Sequence, residues 1–357
     1  MKVCMTLKTI PEKVAERPMV VYRGAPGVPV YTNSRSEFKS LVSGCGVYDV
    51  AWRATIRLTG GDRVRWLNGM VTNNVRDLVV GRGAYAFLLN PQGHILADLY
   101  AFNRGNHLLV ATDQSQLKKI VEIFDHYIIM DDVEVADASE RVVAIGLAGP
   151  EARNVLERCG LKIPQLEPLQ IADLGWQGVG VTVIRGDNPR VDTYEFQVRR
   201  EDAGLLRDAP QNAGASPVGT QALEMLRIAS GVPLYGLDIR ERDLPQETEQ
   251  TRALHFSKGC YVGQEIVERI RSRGAVHRRF TGFRVDGDLP QAGARVLNQG
   301  KDIGEITSTT VLPTAHGDFH AALGYVRRES SSPGTEVEVG GGRAVITDIP
   351  FAAVFEN

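Results

Sequence analysis

The chain has 357 residues, of which 43% are hydrophobic and 24% are charged, and its formal net charge is −2. This length exceeds the ~100–200 residues of one ordinary domain and predicts two or three domains. The balanced charge excludes a globally basic nucleic-acid coat and an acidic solvating chain. No run approaches the roughly 18 apolar residues of a membrane span, and the N-terminus has no apolar signal core, so we expect a cytoplasmic protein without a membrane partner.

Helices and strands alternate along the first half of the chain. Ser34 is a candidate N-cap of a short helix, and residues 52–58 alternate as a strand. Asp62 is placed to cap a second helix. The stretch 83–112 predicts three strands joined by tight turns, and Asp113 would cap the amphipathic helix that follows. Three strands and a crossing helix make one α+β unit.

A second α+β unit follows. Residues 142–147 predict a strand, residues 179–198 a hairpin, and the stretches 201–208 and 219–230 two helices. From Phe280 onward, short alternating runs and many glycines predict a small all-β barrel or sandwich. The fold class predicted from the whole chain is therefore α+β.

The four cysteines are isolated from one another in sequence. None of Cys4, Cys45, Cys159 and Cys260 belongs to a CxxC pair, so they predict neither a disulfide framework nor a local zinc or cluster motif. The histidines show no metal-ligand spacing. We therefore expect no bound metal.

The densest chemical segment is Lys-Gly-Cys-Tyr-Val-Gly-Gln-Glu, residues 258–265. The ammonium of Lys258 would favour thiolate over thiol at Cys260, and a helix starting near Tyr261 would add its unpaired N–H groups. Gly259 would let the backbone approach a ligand closely. On residue chemistry alone, the alternative is a helix N-terminus with the cysteine packed inside.

This octapeptide resembles the signature of YgfZ-type folate-binding proteins, which are relatives of the glycine-cleavage T-protein (aminomethyltransferase). The resemblance extends through most of the chain. Segments similar to T-protein motifs lie at residues 46–50, 60–64, 71–73, 89–99, 227–231, 234–238, 244–247, 303–308 and 322–326.

The resemblance implies three lobes around a central channel. The first is a discontinuous folate-binding lobe of residues 1–51 and 139–275, which ends in the signature segment. The second is a folate-binding lobe of residues 52–138, and the third is a C-terminal β-barrel of residues 276–357. Such a channel suits a flat ring with an acidic tail.

The resemblance also implies a bound tetrahydrofolate or one-carbon derivative. Asp98 matches a T-protein carboxylate that serves one-carbon transfer, and Glu195 matches a glutamate that grips the pterin ring. Carboxylates can hold a nucleophilic amine or accept two hydrogen bonds from an amidine-like edge. From residue type alone, the alternative for both is a solvent-facing strand position. In the signature, Cys260 and Lys258 are the implied functional pair, and the implied folate contacts are Gly259, Tyr261, Gly263, Gln264 and Glu265.

The leading hypothesis for function is a tetrahydrofolate-binding accessory protein. The resemblance implies that it supports assembly or repair of iron–sulfur clusters in client enzymes, with Cys260 essential. The implied partners are therefore folate and iron–sulfur enzymes or cluster-assembly proteins.

Two further functions stay open. The first is a folate-dependent aminomethyltransferase or demethylase, which Asp98 favours. Because Thr112 and Leu223 replace residues of the T-protein pattern, we expect little glycine-cleavage activity. The second is a tRNA-modification accessory protein that uses the basic cluster of Arg269, Arg271, Arg273, His277, Arg278 and Arg279. The balanced net charge argues against nucleic acid.

Overall fold

A computed structural model describes residues 18–274 and 276–356. Predictions that concern residues 1–17, Cys4 among them, lie outside this part of the chain. Strands β1–β19 and helices α1–α7 are numbered in chain order.

The described chain opens with a two-stranded hairpin, a short helix and a strand. Asn33, rather than Ser34, caps the helix, because its side chain accepts hydrogen bonds from the N–H groups of Arg35 and Ser36. These elements are β1 (Val20–Tyr22), β2 (Ala25–Gly27), α1 (Ser34–Ser43) and β3 (Gly46–Asp49).

A five-stranded antiparallel sheet follows, with the strand order β5-β6-β7-β4-β8. Two helices pack with this sheet around a core that includes Leu67, Leu99 and Phe124. Asp62 and Asp113 hold the predicted N-cap positions, but neither side chain makes a capping hydrogen bond. The elements are β4 (Arg53–Thr59), α2 (Arg63–Met70), β5 (Gly83–Leu89), β6 (Ile95–Asn103), β7 (Leu108–Asp113), α3 (Gln114–Tyr127) and β8 (Glu134–Asp137).

A six-stranded sheet with the order β10-β11-β12-β9-β3-β13 joins chain segments on both sides of the five-stranded unit. Strand β3 pairs with β9, and β11 and β12 form the predicted hairpin. The division into domains at residues 51, 138 and 275 stays a prediction. The elements are β9 (Val142–Ala148), α4 (Ala152–Arg158), β10 (Ile171–Trp176), β11 (Val179–Arg185), β12 (Thr193–Arg199), α5 (Ala203–Asn212), β13 (Ser216–Pro217) and α6 (Thr220–Ala229).

The remaining strands close into a barrel with the order β14-β17-β16-β15-β18-β19. Strand β14 pairs with both β17 and β19, so the sheet has no free edge. The predicted α+β fold with a C-terminal barrel is confirmed. The elements are α7 (Gln264–Arg273), β14 (Arg278–Val285), β15 (Arg295–Asn298), β16 (Lys301–Thr314), β17 (Gly317–Arg327), β18 (Glu336–Val339) and β19 (Gly342–Thr347).

A buried ion pair fastens the barrel to the rest of the chain. The Arg227 guanidinium on α6 donates to Asp238 over 2.6 Å, and the Ser308 hydroxyl on β16 donates to the same carboxylate over 2.7 Å. Asp238 is fully buried, and these partners compensate its desolvation. Among the described residues, no helix has the length and hydropathy needed to cross a membrane.

Candidate functional site

A cavity of about 200 Å³, open at its mouth, lies where the two large sheets and α6 meet. Aromatic side chains provide much of the wall: Tyr22, Tyr48, Trp52, Tyr100, Phe102 and Tyr194. The charged side chains of the wall are Arg23, Arg53, Arg227, Arg252, Asp187 and Glu195. Aromatic faces with a few charged groups suit a flat polar ring.

Glu195, one of the two carboxylates singled out from the sequence, lies in this wall. The Arg53 Nε donates to its Oε2 over 3.0 Å, and the Gln197 Nε2 donates to its Oε1 over 2.8 Å. The Glu195 side chain is 14% exposed. Because a carboxylate offers about four lone-pair positions, these two bonds fix its orientation and leave acceptor capacity for a ligand.

Asp98 is half-buried on β6 and is held at both carboxylate oxygens. The Tyr85 hydroxyl donates to Oδ2 over 2.7 Å, and the Gln116 amide donates to Oδ1 over 2.7 Å. Burial and the charge of Asp98 raise the pKa of Tyr85 well above its usual value, so this phenol stays protonated and able to donate. Thr112, one of the departures from the T-protein pattern, donates to the Asp98 carbonyl over 2.9 Å.

A row of contacts joins the two carboxylates, although they come from different sheets. The rings of Tyr85 and Tyr100 have centroids 5.0 Å apart, and the Arg53 guanidinium lies 5.9 Å from the Tyr100 centroid. Tyr100 lines the cavity. Asp98 does not line it, but Asp98 is hydrogen-bonded to Tyr85, whose ring contacts Tyr100. The structure therefore brings Asp98 and Glu195 to the same region.

The Lys258 side chain was predicted to act on Cys260, but its hydrogen bonds go to backbone carbonyl oxygens instead. Lys258 is 6% exposed, and its ammonium donates to the carbonyl oxygens of Asn68, Val71 and Asn73, all at or beyond the C-terminal end of α2. Burial lowers the pKa of Lys258 to about 7. The three carbonyl oxygens act in the opposite direction, because their hydrogen bonds favour the charged amine. Lys258 thus fastens the signature segment to α2.

The two signature glycines have different surroundings. A Cβ at Gly259 would meet no protein atom within 4 Å, and the expected close approach of a ligand there stays a prediction. At Gly263, φ is 82° and a Cβ would lie 2.6 Å from the Asn90 carbonyl oxygen. Gly263 therefore packs the segment against the turn between β5 and β6.

Cys260 is exposed at the surface. Helix α7 begins at Gln264, so the expected helix start near Tyr261 is wrong. Tyr261 is buried, and its N–H donates to the Gln264 side chain over 3.3 Å, whereas Glu265 is exposed. The segment 258–265 contributes no residue to the cavity wall among the described residues.

Three of the six members of the predicted basic cluster, Arg271, Arg278 and Arg279, pair with acidic side chains of the same chain. Arg278 lies 3.0 Å from Asp243 and 2.7 Å from Glu247, and Arg279 lies 3.3 Å from Glu249. This pairing lowers the positive charge that the cluster offers to a phosphate backbone.

Sequence reasoning missed two arginines of the cavity wall, Arg23 and Arg53. Arg23 lies in a turn and Arg53 begins a strand, and neither position belongs to a motif. Tyr100 did carry a signal, because it is two residues from Asp98 on β6 and so shares its face. Across residues 18–274 and 276–356, no group of three or more His, Cys, Asp or Glu side chains is placed to hold a metal ion.

Comparison with known proteins identifies the family. The model of the GCVT N-terminal domain matches residues 15–258, and that of the glycine cleavage T-protein C-terminal barrel domain matches residues 278–351. The chain therefore belongs to the glycine-cleavage T-protein family.

Individual relatives extend over nearly the whole chain. An aminomethyltransferase of Geobacillus kaustophilus is 29% identical over 90% of this chain and 91% of its own length. A chloroplastic putative transferase of Arabidopsis thaliana is 24% identical over 91% of this chain and 76% of its own length. The crystal structure of aminomethyltransferase T from Bartonella henselae superposes with a TM-score of 0.85 at 21% identity, covering 96% of both chains, which shows a shared fold.

Proposed function

We propose that the central cavity binds a reduced folate, either tetrahydrofolate or a one-carbon derivative. The observation that carries this proposal is Glu195, an oriented carboxylate with spare acceptor capacity in a wall of aromatic side chains. The amidine-like edge of a pterin presents parallel N–H donors that a carboxylate can accept in bidentate fashion. Tyr48, Trp52 and Tyr100 supply apolar faces for a flat ring.

Calorimetric titration with tetrahydrofolate tests this site. In Glu195→Gln the carboxylate is lost, and we expect affinity to fall by about tenfold to a hundredfold, equivalent to ~1–3 kcal/mol. Glu201→Gln is the matched control, because Glu201 is 68% exposed and pairs with Arg199 away from the cavity wall. Unchanged affinity in Glu195→Gln, with normal melting, would show that the ligand site is assigned wrongly.

The downstream role proposed for the folate-bound protein is accessory: it supports assembly or repair of iron–sulfur clusters in client enzymes. The resemblance of residues 258–265 to the YgfZ signature supports this role. So does the placement of Cys260, because its exposed position outside the cavity wall lets it meet a macromolecular partner. We expect cells lacking the protein to lose activity of certain iron–sulfur enzymes, and the parent gene to restore this activity where Cys260→Ser does not. Full restoration by Cys260→Ser would contradict this role while leaving folate binding intact.

One-carbon transfer of the aminomethyltransferase type is the second candidate. It is favoured by Asp98, whose carboxylate Tyr85 and Gln116 hold in a fixed orientation, and by the aminomethyltransferase relatives. Because Thr112 and Leu223 depart from the T-protein pattern, we expect little transfer from an aminomethyl-lipoyl carrier protein. Enzyme-like turnover that is lost in Asp98→Asn would replace the accessory role with a catalytic one.

A further inference from the structure

We propose that Arg23 forms a carboxylate-binding subsite in the wall of the central cavity. The inference rests on the proposed folate site for the identity of the main ligand. It adds a recognition residue that the sequence analysis did not single out. The carboxylate belongs either to the glutamate tail of the folate or to a separate small carboxylate bound beside it.

A rigid turn delivers Arg23 to the cavity. Arg23 and Gly24 connect β1 to β2 with φ values of 50° and 89°. A Cβ at Gly24 would lie 2.3 Å from the Ser115 backbone nitrogen, so the turn is pressed against the start of α3. The Ser115 N–H also donates to the Arg23 carbonyl over 3.1 Å. The backbone of Arg23 is therefore fixed before any ligand arrives.

Aromatic stacking fixes the Arg23 guanidinium as well. It lies 5.2 Å from the ring centroid of Tyr22 and 5.8 Å from that of Trp52, and the side chain is 20% exposed. Stacking engages the face of a guanidinium and leaves its edge N–H groups available for a planar anion.

The other arginines of the wall already have carboxylate partners within hydrogen-bond distance. These three pairs are Arg53 with Glu195 at 3.0 Å, Arg227 with Asp238 at 2.6 Å, and Arg252 with Asp187. Their charges are largely neutralised within the protein.

Arg23 differs from them. Its Nη1 lies 3.7 Å from the Asp113 Oδ1, beyond hydrogen-bond length, and its Nε has no hydrogen-bond partner in the described part of the chain. Burial raises the pKa of Asp113, which weakens it as a counter-charge. A buried N–H without a partner is costly, and a ligand carboxylate would satisfy it.

The test uses Trp52 as an internal reporter. In a Trp66→Phe, Trp176→Phe background, Trp52 is the remaining tryptophan, and its ring stacks on Arg23. Fluorescence titrations of the full chain with tetrahydrofolate, with tetrahydropteroate, which lacks the glutamate, and with glycine separate the sources of the carboxylate. Each titration is repeated in Arg23→Gln, in Arg23→Lys, and in Arg76→Gln, a control whose side chain is 62% exposed outside the cavity wall.

If the carboxylate is the folate tail, Arg23→Gln lowers the affinity for tetrahydrofolate by about tenfold and leaves the affinity for tetrahydropteroate unchanged. If the carboxylate belongs to a separate molecule, Arg23→Gln lowers the affinity for glycine by a similar factor and leaves the affinity for tetrahydrofolate unchanged. Arg23→Lys retains the charge and is expected to give an intermediate loss, with a melting temperature that checks folding. Equal binding of all three probes by the parent and Arg23→Gln would overturn the subsite.

Failure of the proposed function gives a different result. If the parent binds neither tetrahydrofolate nor tetrahydropteroate, the folate assignment fails. The glycine titration then decides the Arg23 subsite alone: binding that Arg23→Gln loses supports it, and absence of glycine binding by the parent overturns it.

Discussion

The central cavity and the signature segment 258–265 use their polar side chains in opposite ways. In the cavity, the Glu195 carboxylate keeps acceptor capacity beyond its two hydrogen bonds, and the Arg23 Nε has no hydrogen-bond partner among the described residues. In the signature segment, the Lys258 ammonium is saturated by three backbone carbonyls. Cys260 is then presented on the surface. The difference supports the proposal that the cavity binds a small ligand, whereas the signature segment holds one exposed thiol in place.

The largest effect that would sharpen this comparison is expected at Lys258. Lys258→Met leaves three carbonyl oxygens without their donor, and we expect the free energy of unfolding to fall by about 3 kcal/mol. Denaturant unfolding measures the loss. Lys118→Met is the control, since Lys118 is 90% exposed and should have little effect. An unchanged free energy of unfolding in Lys258→Met would mean that the Lys258 hydrogen bonds do not hold the signature segment in place. The contrast between the segment and the cavity would then be wrong.

The signature glycines give the next largest effect. Gly263→Ala places a Cβ against the Asn90 carbonyl at a φ of 82°, and we expect it to cost about 2 kcal/mol of stability. Gly259→Ala meets open space at an ordinary φ, and we expect no loss. The melting temperatures of the two variants provide the measurement. Equal destabilisation by both would show that the segment packs differently.

Much of the fold could be predicted because its elements carry local signals. The sequence of helix α3 has the amphipathic period of a helix, and the hairpin of β11 and β12 has the apolar–polar alternation of strands. Strand β8 was missed because it is an exposed edge strand whose residues Glu134 and Asp137 leave no buried face to detect. The hairpin of β1 and β2 was missed because its strands have three residues each.

The candidate site was predictable only where a motif marked it. Asp98 lies in a segment similar to a T-protein motif, and Glu195 matches a single T-protein position; both lie in one region of the structure. Arg23 and Arg53 had no such signal, because an isolated arginine shows its role only when remote segments meet around a cavity. The hydrogen-bond partners of Lys258 could not be predicted for the same reason, since they lie at residues 68–73, about 190 positions away in sequence.

Alkylation rates test the surface placement of Cys260 without perturbing the fold. Cys260 is exposed and Cys45 is buried, and burial raises the pKa of Cys45 to about 12. In a Cys4→Ser background at pH 8, we expect iodoacetamide to modify Cys260 at least tenfold faster than Cys45. Cys159, half-buried with a raised pKa, should react at an intermediate rate. Raising the pH toward 9 should leave Cys45 unreactive, because its thiolate fraction stays small.

The smallest expected effect is the most direct test of whether the two regions are separate. Cys260→Ser changes one exposed atom outside the cavity wall, so we expect stability and tetrahydrofolate affinity to match the parent. Calorimetry on the variant and on Glu195→Gln measures both properties under the same conditions. A tenfold loss of folate affinity in Cys260→Ser would place the thiol within reach of the ligand and join the two regions into one site. Unchanged affinity combined with lost function in cells would instead assign Cys260 to a step that follows folate binding, where an exposed thiol meets a partner.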